Sequence, residues 1–259
     1  PDGILVTNGG AEAVFVVLMS LVNSGDEVML ISPYYAPYLS IVTVASGRPI
    51  MVPVDKDTLM PDLEMIKSKI TGKTKVIVVN SPCNPTGMAY SSSIMKGISE
   101  IAVDHDLFVI SDEVYEKFMY DDKETCSMAA FDGTLERTII INSLSKTYAM
   151  TGWRVGYIAA NQEVATGILK IKSAVNVCAS SISQKAAIAA LKGPKTHVDR
   201  MITEYARRRE LVLDAISHLT GFKCIPPTGA FYVFPDISEL EKDSLRFSMQ
   251  LLECSNGRE

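Results

Sequence analysis

The chain has 259 residues, enough at roughly 100–200 residues per domain for one large α/β domain or two domains with a sizeable buried core, which excludes a miniature cross-linked scaffold. Apolar residues make up 47% and charged residues 21%, a globular balance that excludes a disordered tail and a membrane bundle. Lys and Arg total 25 against 30 for Asp and Glu, and the formal charge of −5 argues against nucleic acid or an anionic membrane as the main partner, although a small anion can still be held locally.

The longest apolar stretch, residues 13–22, is interrupted by Ser20 and closed by Asn23, short of the ~20 residues that a spanning helix needs. Five cysteines (Cys83, Cys126, Cys178, Cys224 and Cys254) form no Cys-x-x-Cys pair, so neither a disulfide framework nor a zinc site is signalled and a reducing cytoplasm fits. The chain opens at Pro1 without an initiator Met or a charged-then-apolar leader, so its start reads as internal.

In chain order, β-branched runs at 27–31, 50–54, 75–80, 107–111, 137–142 and 155–159 read as strands. Several are nearly continuous apolar runs, as expected when both faces of a parallel sheet are covered. Leu63, Ile66 and Ile70 recur at helical spacing behind Pro61, and Ile94, Ile98 and Ile101 do so behind the caps at 91–93. This alternation predicts an α/β fold of three αβα layers around a mostly parallel, doubly wound sheet, with ligands in the crevice beyond the carboxyl ends of the strands. Past Ala159 the pattern becomes helical: Val164, Ile168, Ile171 and Val175 share a face, and a second helix spans about 196–219. Pro226, Pro227 and Gly229 then lead into a strand-like 230–234 and a last helix, which predicts a large domain over 1–195 and an incomplete smaller α+β domain over 196–259. The Arg207–Arg209 run reads as a solvated helix face.

Four polar segments stand just past predicted strands. Thr7-Asn8-Gly9-Gly10-Ala11 runs into an apolar helix beginning near Glu12, so the amides of Gly10 and Ala11 form either a phosphate cradle or a plain tight turn. Asn80-Ser81-Pro82-Cys83-Asn84-Pro85-Thr86-Gly87 is stiffened by its prolines and either aims the amide of Asn84 into the crevice or serves as a structural turn. In Ser111-Asp112-Glu113-Val114-Tyr115, adjacent strand residues face opposite ways, so only one of the two acids meets a ligand, with Tyr115 in reach if the chain turns. The stretch 143–156 boxes Lys146 between Ser145 and Thr147, with Ser143 before it and Arg154 eight residues on. Arg presents a fork that matches phosphate, whereas a partly desolvated Lys amine can lose its proton and attack a carbonyl. A phosphate anchor, an aldehyde-reactive amine, a carboxylate and hydrogen-bonding Asn and Tyr together suit pyridoxal phosphate, whose ring acts as an electron sink when its nitrogen stays protonated.

These segments also resemble, in the same order, the hallmarks of the fold-type I pyridoxal-phosphate aminotransferases of class I/II, the group of the aspartate, alanine and aromatic enzymes. The stretch 143–156 is similar to that family's Schiff-base lysine signature, and Asn84-Pro85-Thr86-Gly87 and Asp112-Glu113-Val114-Tyr115 to its two other hallmarks. The resemblance implies a homodimeric, cytoplasmic enzyme that exchanges an amino group between an L-amino acid and a 2-oxo acid by ping-pong half-reactions. By it, Lys146 is the Schiff-base lysine and the proton carrier, Asp112 pairs with the pyridinium nitrogen, and Asn84 and Tyr115 bond the ring's phenolic oxygen. Tyr35 falls where an aromatic ring stacks on the cofactor, although it also reads as core. Gly10, Ala11, Ser143, Ser145 and Arg154 would hold the phosphate, and Asn84 also meets substrate. The small, apolar stretch 180–191 suits a dimer contact, and His105, His197 and His218 read as structural. A lyase or synthase using the same lysine, or an incompetent cofactor-binding fragment, are the alternatives. The chain departs from the pattern in lacking the N-terminal segment and the Arg that binds the substrate carboxylate; Arg258 does not match that residue.

Overall fold

The computed structural model describes residues 2–121 and 123–256, so Arg258 lies outside the described residues. Its elements follow the order β1 (Ile4–Thr7), α1 (Gly10–Leu21), β2 (Glu27–Ser32), α2 (Pro37–Val44), β3 (Arg48–Pro53), α3 (Leu63–Ser68), β4 (Thr74–Asn80), α4 (Ser92–Asp104) and β5 (Phe108–Asp112). Then come β6 (Thr138–Ser143), α5 (Leu144–Thr147), β7 (Gly156–Ala159), α6 (Gln162–Val175), α7 (Ser181–Lys192), α8 (Thr196–Ser217), β8 (Lys223–Cys224), β9 (Pro235–Asp236) and α9 (Ser244–Asn256).

Seven strands form one sheet in the order β1-β7-β6-β5-β4-β2-β3. Pairing is parallel from β3 through β2, β4 and β5 to β6, and antiparallel on both sides of β7, so β7 alone runs against the rest. Helices cover both faces, as the doubly wound reading predicts. Ala13, Val14, Val16, Val17 and Leu18 of α1, Tyr38 and Val42 of α2 and Ile168 of α6 pack on Val28, Leu30, Val76, Val78, Ile110 and Ile139. On the opposite face Ile66 of α3 and Met95, Ile98 and Ile101 of α4 meet Met29, Ile31, Ile77, Val79 and Val109. Side chains of β2, β4 and β5 alternate between these clusters, which is why the strands read as unbroken apolar runs. The chain leaves β2 toward β3 on one side and β4 toward β5 on the other, so neighbouring β2 and β4 make a topological switch point with a crevice at their carboxyl ends.

Several boundaries differ from the sequence reading. Strand β1 escaped it because a four-residue edge strand with Ile4 and Val6 partly exposed carries too little pattern. Helix α1 starts at Gly10 rather than near Glu12, which puts both expected cradle amides in its first turn. Helix α3 ends at Ser68, short of Ile70, and its cap is Asp62, one residue after Pro61. Residues 230–234 are not a strand: the Ala230 amide donates to Phe118 O and Gly229 bridges Met119, so this backbone is tied to a loop rather than to a sheet. Nor is the arginine run uniformly solvated. Arg207 and Arg208 pair with Glu204 in the open, but the Arg209 side chain is 10% exposed and donates to Asp121 and to Pro227 O, pinning α8 to the loops on either side of it.

No helix among the described residues is long and apolar enough to cross a membrane. On α7, Ile182, Ile188 and Leu191 are exposed.

Gly156, at the start of β7, packs closely against neighbouring backbone. A Cβ there would lie 2.7 Å from Gly9 C, 2.9 Å from Gly10 N and 2.9 Å from Asn142 O, all backbone atoms without side-chain freedom. Gly156→Ala is therefore expected to cost about 1–3 kcal/mol by overpacking, read as a lower urea midpoint at unchanged m-value.

Candidate active site

The carboxyl ends of β1, β2, β4, β5 and β6 deliver side chains and amides to a single cavity of about 260 Å³. Strand β1 ends at Thr7, which is fully buried and whose hydroxyl donates to Gly9 O at 3.0 Å, shaping the turn into α1. Gly9 has φ +80°, which favours glycine, and a Cβ there would lie 2.3 Å from Arg154 Nη2, so a side chain would displace the guanidinium. No side chain caps α1. Its first amides, at Gly10 and Ala11, line the cavity with the positive end of a twelve-residue helix behind them.

Beyond β2 come Tyr35 and Tyr38, one turn apart with rings edge to face at 5.4 Å. Beyond β4, Asn80 accepts the Asn84 amide on Oδ1 at 2.7 Å and donates Nδ2 to Asp112 O at 3.0 Å, so one side chain ties the loop after β4 to β5. Both asparagines line the cavity.

Asp112 closes β5 and is 5% exposed. Its Oδ2 accepts the Tyr38 hydroxyl at 2.5 Å and its Oδ1 accepts the Val114 amide at 3.3 Å. Among the described residues no Lys, Arg or His nitrogen stands within 4 Å of it. Burial pushes its carboxyl up to about 6, against the opposing pull of these two hydrogen bonds. Glu113 turns to the other side of the sheet, as strand alternation requires, where it accepts from Ser111, Ser127 and the Met128 amide. Only one of the two acids meets the cavity.

Beyond β6, Ser143 caps α5 and Lys146 is its third residue. Lys146 lines the cavity with Nζ 5.8 Å from the Tyr115 ring centroid and 5.5 Å from that of Phe231, an aromatic wall that limits water around the amine. The Ser143 hydroxyl is turned inward toward Val155 O and Ser145 Oγ. Ser145 Oγ lies 2.9 Å from Ser143 Oγ and faces Arg154 Nη1 at 3.5 Å, so the two hydroxyls and the guanidinium form one cluster at the mouth. Arg154 has φ 52°. Its guanidinium donates to Thr151 O at 2.9 Å and Asn8 O at 3.2 Å, which aims it across the mouth beside the α1 amides.

All of the residues singled out from the sequence, Gly10, Ala11, Tyr35, Asn84, Asp112, Tyr115, Ser143, Ser145, Lys146 and Arg154, line this one cavity. Four further polar lining residues escaped that reading: Tyr38, Asn80, Thr151 and Tyr232. Tyr38 was legible as an aromatic one helical turn after Tyr35. Tyr232 had no local signal. It arrives from the far end of the chain because the Thr228 and Gly229 amides donate to Gly87 O and the Tyr120 hydroxyl to Ala230 O, and its hydroxyl then meets that of Tyr115. Burial raises both phenols above their ordinary range.

A larger open groove of about 950 Å³ lies between α1 and α6, lined by Lys75, Arg137 and Glu163 among others, and shares no residue with this cavity.

Comparison with known proteins agrees with this geometry. Residues 1–255 match the family described as Aminotransferase class I and II. The chain is 40% identical over 258 residues to the probable aspartate aminotransferase of Methanocaldococcus jannaschii, covering 97% of this chain and 67% of that one. It is 38% identical to the aspartate aminotransferase of Pyrococcus abyssi, covering 96% and 64%. Among solved structures, an aromatic aminotransferase from Pyrococcus horikoshii superimposes with a TM-score of 0.93 at 38% identity, covering 96% of this chain and 68% of that one. The aspartate aminotransferase of Thermus thermophilus with maleate gives 0.91 at 36% identity, covering 98% and 66%. The chain thus spans about two thirds of the length of these relatives. With the family match running almost end to end and the relatives' fold reproduced, this chain belongs to the class I and II aminotransferases.

Proposed function

We propose that this chain carries the cofactor-binding core of a cytoplasmic, homodimeric aminotransferase that uses pyridoxal phosphate to move an amino group between an L-amino acid and a 2-oxo acid. The observation that carries the reading is the meeting, in one cavity, of the Lys146 amine, a buried carboxylate without a cationic partner and an uncapped helix N-terminus. This donor set fits the cofactor: Asp112 lacks the positive charge that a pyridinium brings, and Gly10, Ala11, Ser145 and Arg154 offer donors for a phosphate. When bound, pyridoxal phosphate supplies an aldehyde that condenses with amines and a cationic ring that takes up electrons from the substrate Cα.

The residues divide the remaining work. Ser143 keeps Ser145 and the start of α5 in place, while the amides of α1 and the Arg154 guanidinium anchor the anionic end. Tyr35 presents a ring to the heterocycle, and Asn84 and Tyr115 present an amide and a phenol to its oxygen and to incoming substrate. The carboxylate of Asp112 would hold a proton on the ring nitrogen. The Lys146 amine would serve as the group that takes the proton from the substrate Cα and returns it elsewhere, with Tyr115 and Phe231 beside its Nζ to exclude water. We assign residues 1–195 to this cofactor-binding part and 196–259 to the start of a smaller domain. The exposed apolar side chains of α7 are offered as one contribution to the dimer contact.

Borohydride treatment of the chain with pyridoxal phosphate, followed by peptide mass spectrometry, is expected to place the pyridoxyl group on Lys146, and Lys146→Ala is expected to lose both the trapping and the visible absorbance band. An unchanged spectrum in that variant would refute the assignment. Because relatives are named for aspartate and for aromatic substrates, those two donor classes are the first to test for bleaching of the bound cofactor's absorbance and its restoration by a 2-oxo acid.

A second expectation concerns pH. The carboxyl of Asp112 titrates near 6 in the folded chain and close to 4 when unfolded, so the folded state binds the extra proton. This contribution to stability is complete below pH ~4 and is lost as pH rises to ~6. Asp112→Asn is expected to remove that loss, making the cofactor-free chain more stable above pH 6 by up to ~3 kcal/mol while equal to wild type near pH 4. Urea denaturation across pH 4–8 measures the difference.

A further inference from the structure

The most deeply buried polar contact in the cavity involves a residue to which no role has yet been given. Tyr38 is 1% exposed, sits on α2 behind the ring of Tyr35, and spends its only hydroxyl proton on Asp112 Oδ2 at 2.5 Å. The bond joins the first turn of a helix after β2 to the last residue of β5, 74 positions apart, and therefore spans the switch point of the sheet. Oδ1 keeps only a long bond, at 3.3 Å, from the Val114 amide. A carboxylate can accept about four hydrogen bonds, so with one bond on each oxygen Asp112 keeps acceptor capacity for a ligand in the cavity.

We propose that Tyr38 is a positioning residue for Asp112: its donated O–H fixes the carboxylate's orientation and keeps it anionic, so that the carboxylate can receive the protonated nitrogen of the heterocycle. The proposal rests on the cofactor reading given above. Two physical effects compete at Asp112. Burial favours the neutral acid, in which the group would carry no charge to hold a proton on a ring nitrogen. A hydroxyl donated to the carboxylate favours the anion, and Tyr38 supplies the only side-chain donor among the described residues. The phenol itself stays neutral, because burial and the adjacent carboxylate both disfavour a phenolate.

The titratable surroundings of the pair are few. Glu113 adjoins Asp112 on β5 but faces the other side, Cys83 approaches Tyr38 from the loop after β4, and Tyr115 and Tyr232 stand across the cavity with Lys146. Cys83, Tyr115 and Tyr232 are neutral with their ionisation pushed up by burial, and Lys146 is expected to be consumed in the bond to the cofactor. Tyr38 is thus the hydrogen-bond donor whose removal changes the balance at Asp112 most directly.

The test uses the full chain, with and without pyridoxal phosphate. In the cofactor-free protein, the Asp112 carboxyl is followed by carbon-13 NMR and assigned by its loss in Asp112→Asn. Tyr38→Phe is expected to raise the titration midpoint by about one pH unit or more. Replacing Tyr38 by 3-fluorotyrosine, whose more acidic phenol is a stronger donor at nearly unchanged shape, is expected to lower it. At pH 7 the Phe variant is expected to bind pyridoxal phosphate at least about tenfold more weakly, with the deficit shrinking as pH is raised through the displaced midpoint, a pH-dependent rescue that mere loss of packing would not produce. A titration that moves in neither variant, in protein shown to be folded by its thermal transition, overturns the proposal. If Asp112→Asn weakens cofactor binding and Tyr38→Phe does not, the role of Tyr38 falls while the cofactor reading stands. If Asp112→Asn binds the cofactor as wild type does, both fall.

Discussion

A carboxylate buried at the end of the central strand without a cation beside it is the constraint around which this structure is arranged. Burial of such a group costs free energy unless donors or a counter-charge face it. Around Asp112 the chain provides two donors, Tyr38 and the Val114 amide, and no ion pair among the described residues, while Asn80 holds the backbone of the same residue from the neighbouring strand. The carboxyl consequently rises to about 6, close to the pH at which a cell would ask it to carry charge. A cationic group in the cavity would complete that interaction, which favours the pocket as a binding site over a cavity left by packing.

The opposite end of the cavity follows the complementary logic. There the field is positive: helix α1 begins without a side-chain cap and Arg154 is aimed by two carbonyls and a serine hydroxyl. Gly9 and Gly156 are the backbone cost of this arrangement, since any Cβ at either would collide with the guanidinium or with the cradle itself. A ligand that is cationic at one end and anionic at the other would be oriented by these two poles, and the Lys146 amine lines the same cavity against aromatic rings.

Chain connectivity explains how such distant residues meet. Every group in the cavity leaves the carboxyl end of a parallel strand or, at Gly10, of β1, except Tyr232, whose segment is stitched to the Gly87 loop and to the chain around Phe118–Tyr120 by backbone hydrogen bonds. Arg209, nearly buried, adds a tie from α8 to Pro227 O and Asp121 on that same side. The C-terminal part of the chain thus closes a wall of the site rather than trailing from it.

Much of this was legible before any coordinates. Continuous apolar runs at 75–80 and 107–111 announced strands buried on both faces, helical spacing at Ile94, Ile98 and Ile101 announced their cover, and the strand-end rule pointed to Lys146, Asp112 and Asn84 as neighbours, because these signals are local and repeat within one element. What stayed hidden depends on contacts between remote segments. The edge strand β1 is too short to show a period; residues 230–234 have strand composition but spend their hydrogen bonds on a loop; and Arg209 looks like its neighbours until Asp121 and Pro227 are brought to it. The amino-acid sequence by itself determined the layers, the side of the sheet that binds and the chemical types gathered there. Only the tertiary structure decided that Tyr38 would donate to Asp112 and that Tyr232 would reach Tyr115, because a hydrogen bond depends on where two chain segments finally stop, to within a few tenths of an ångström, and no local pattern carries that distance.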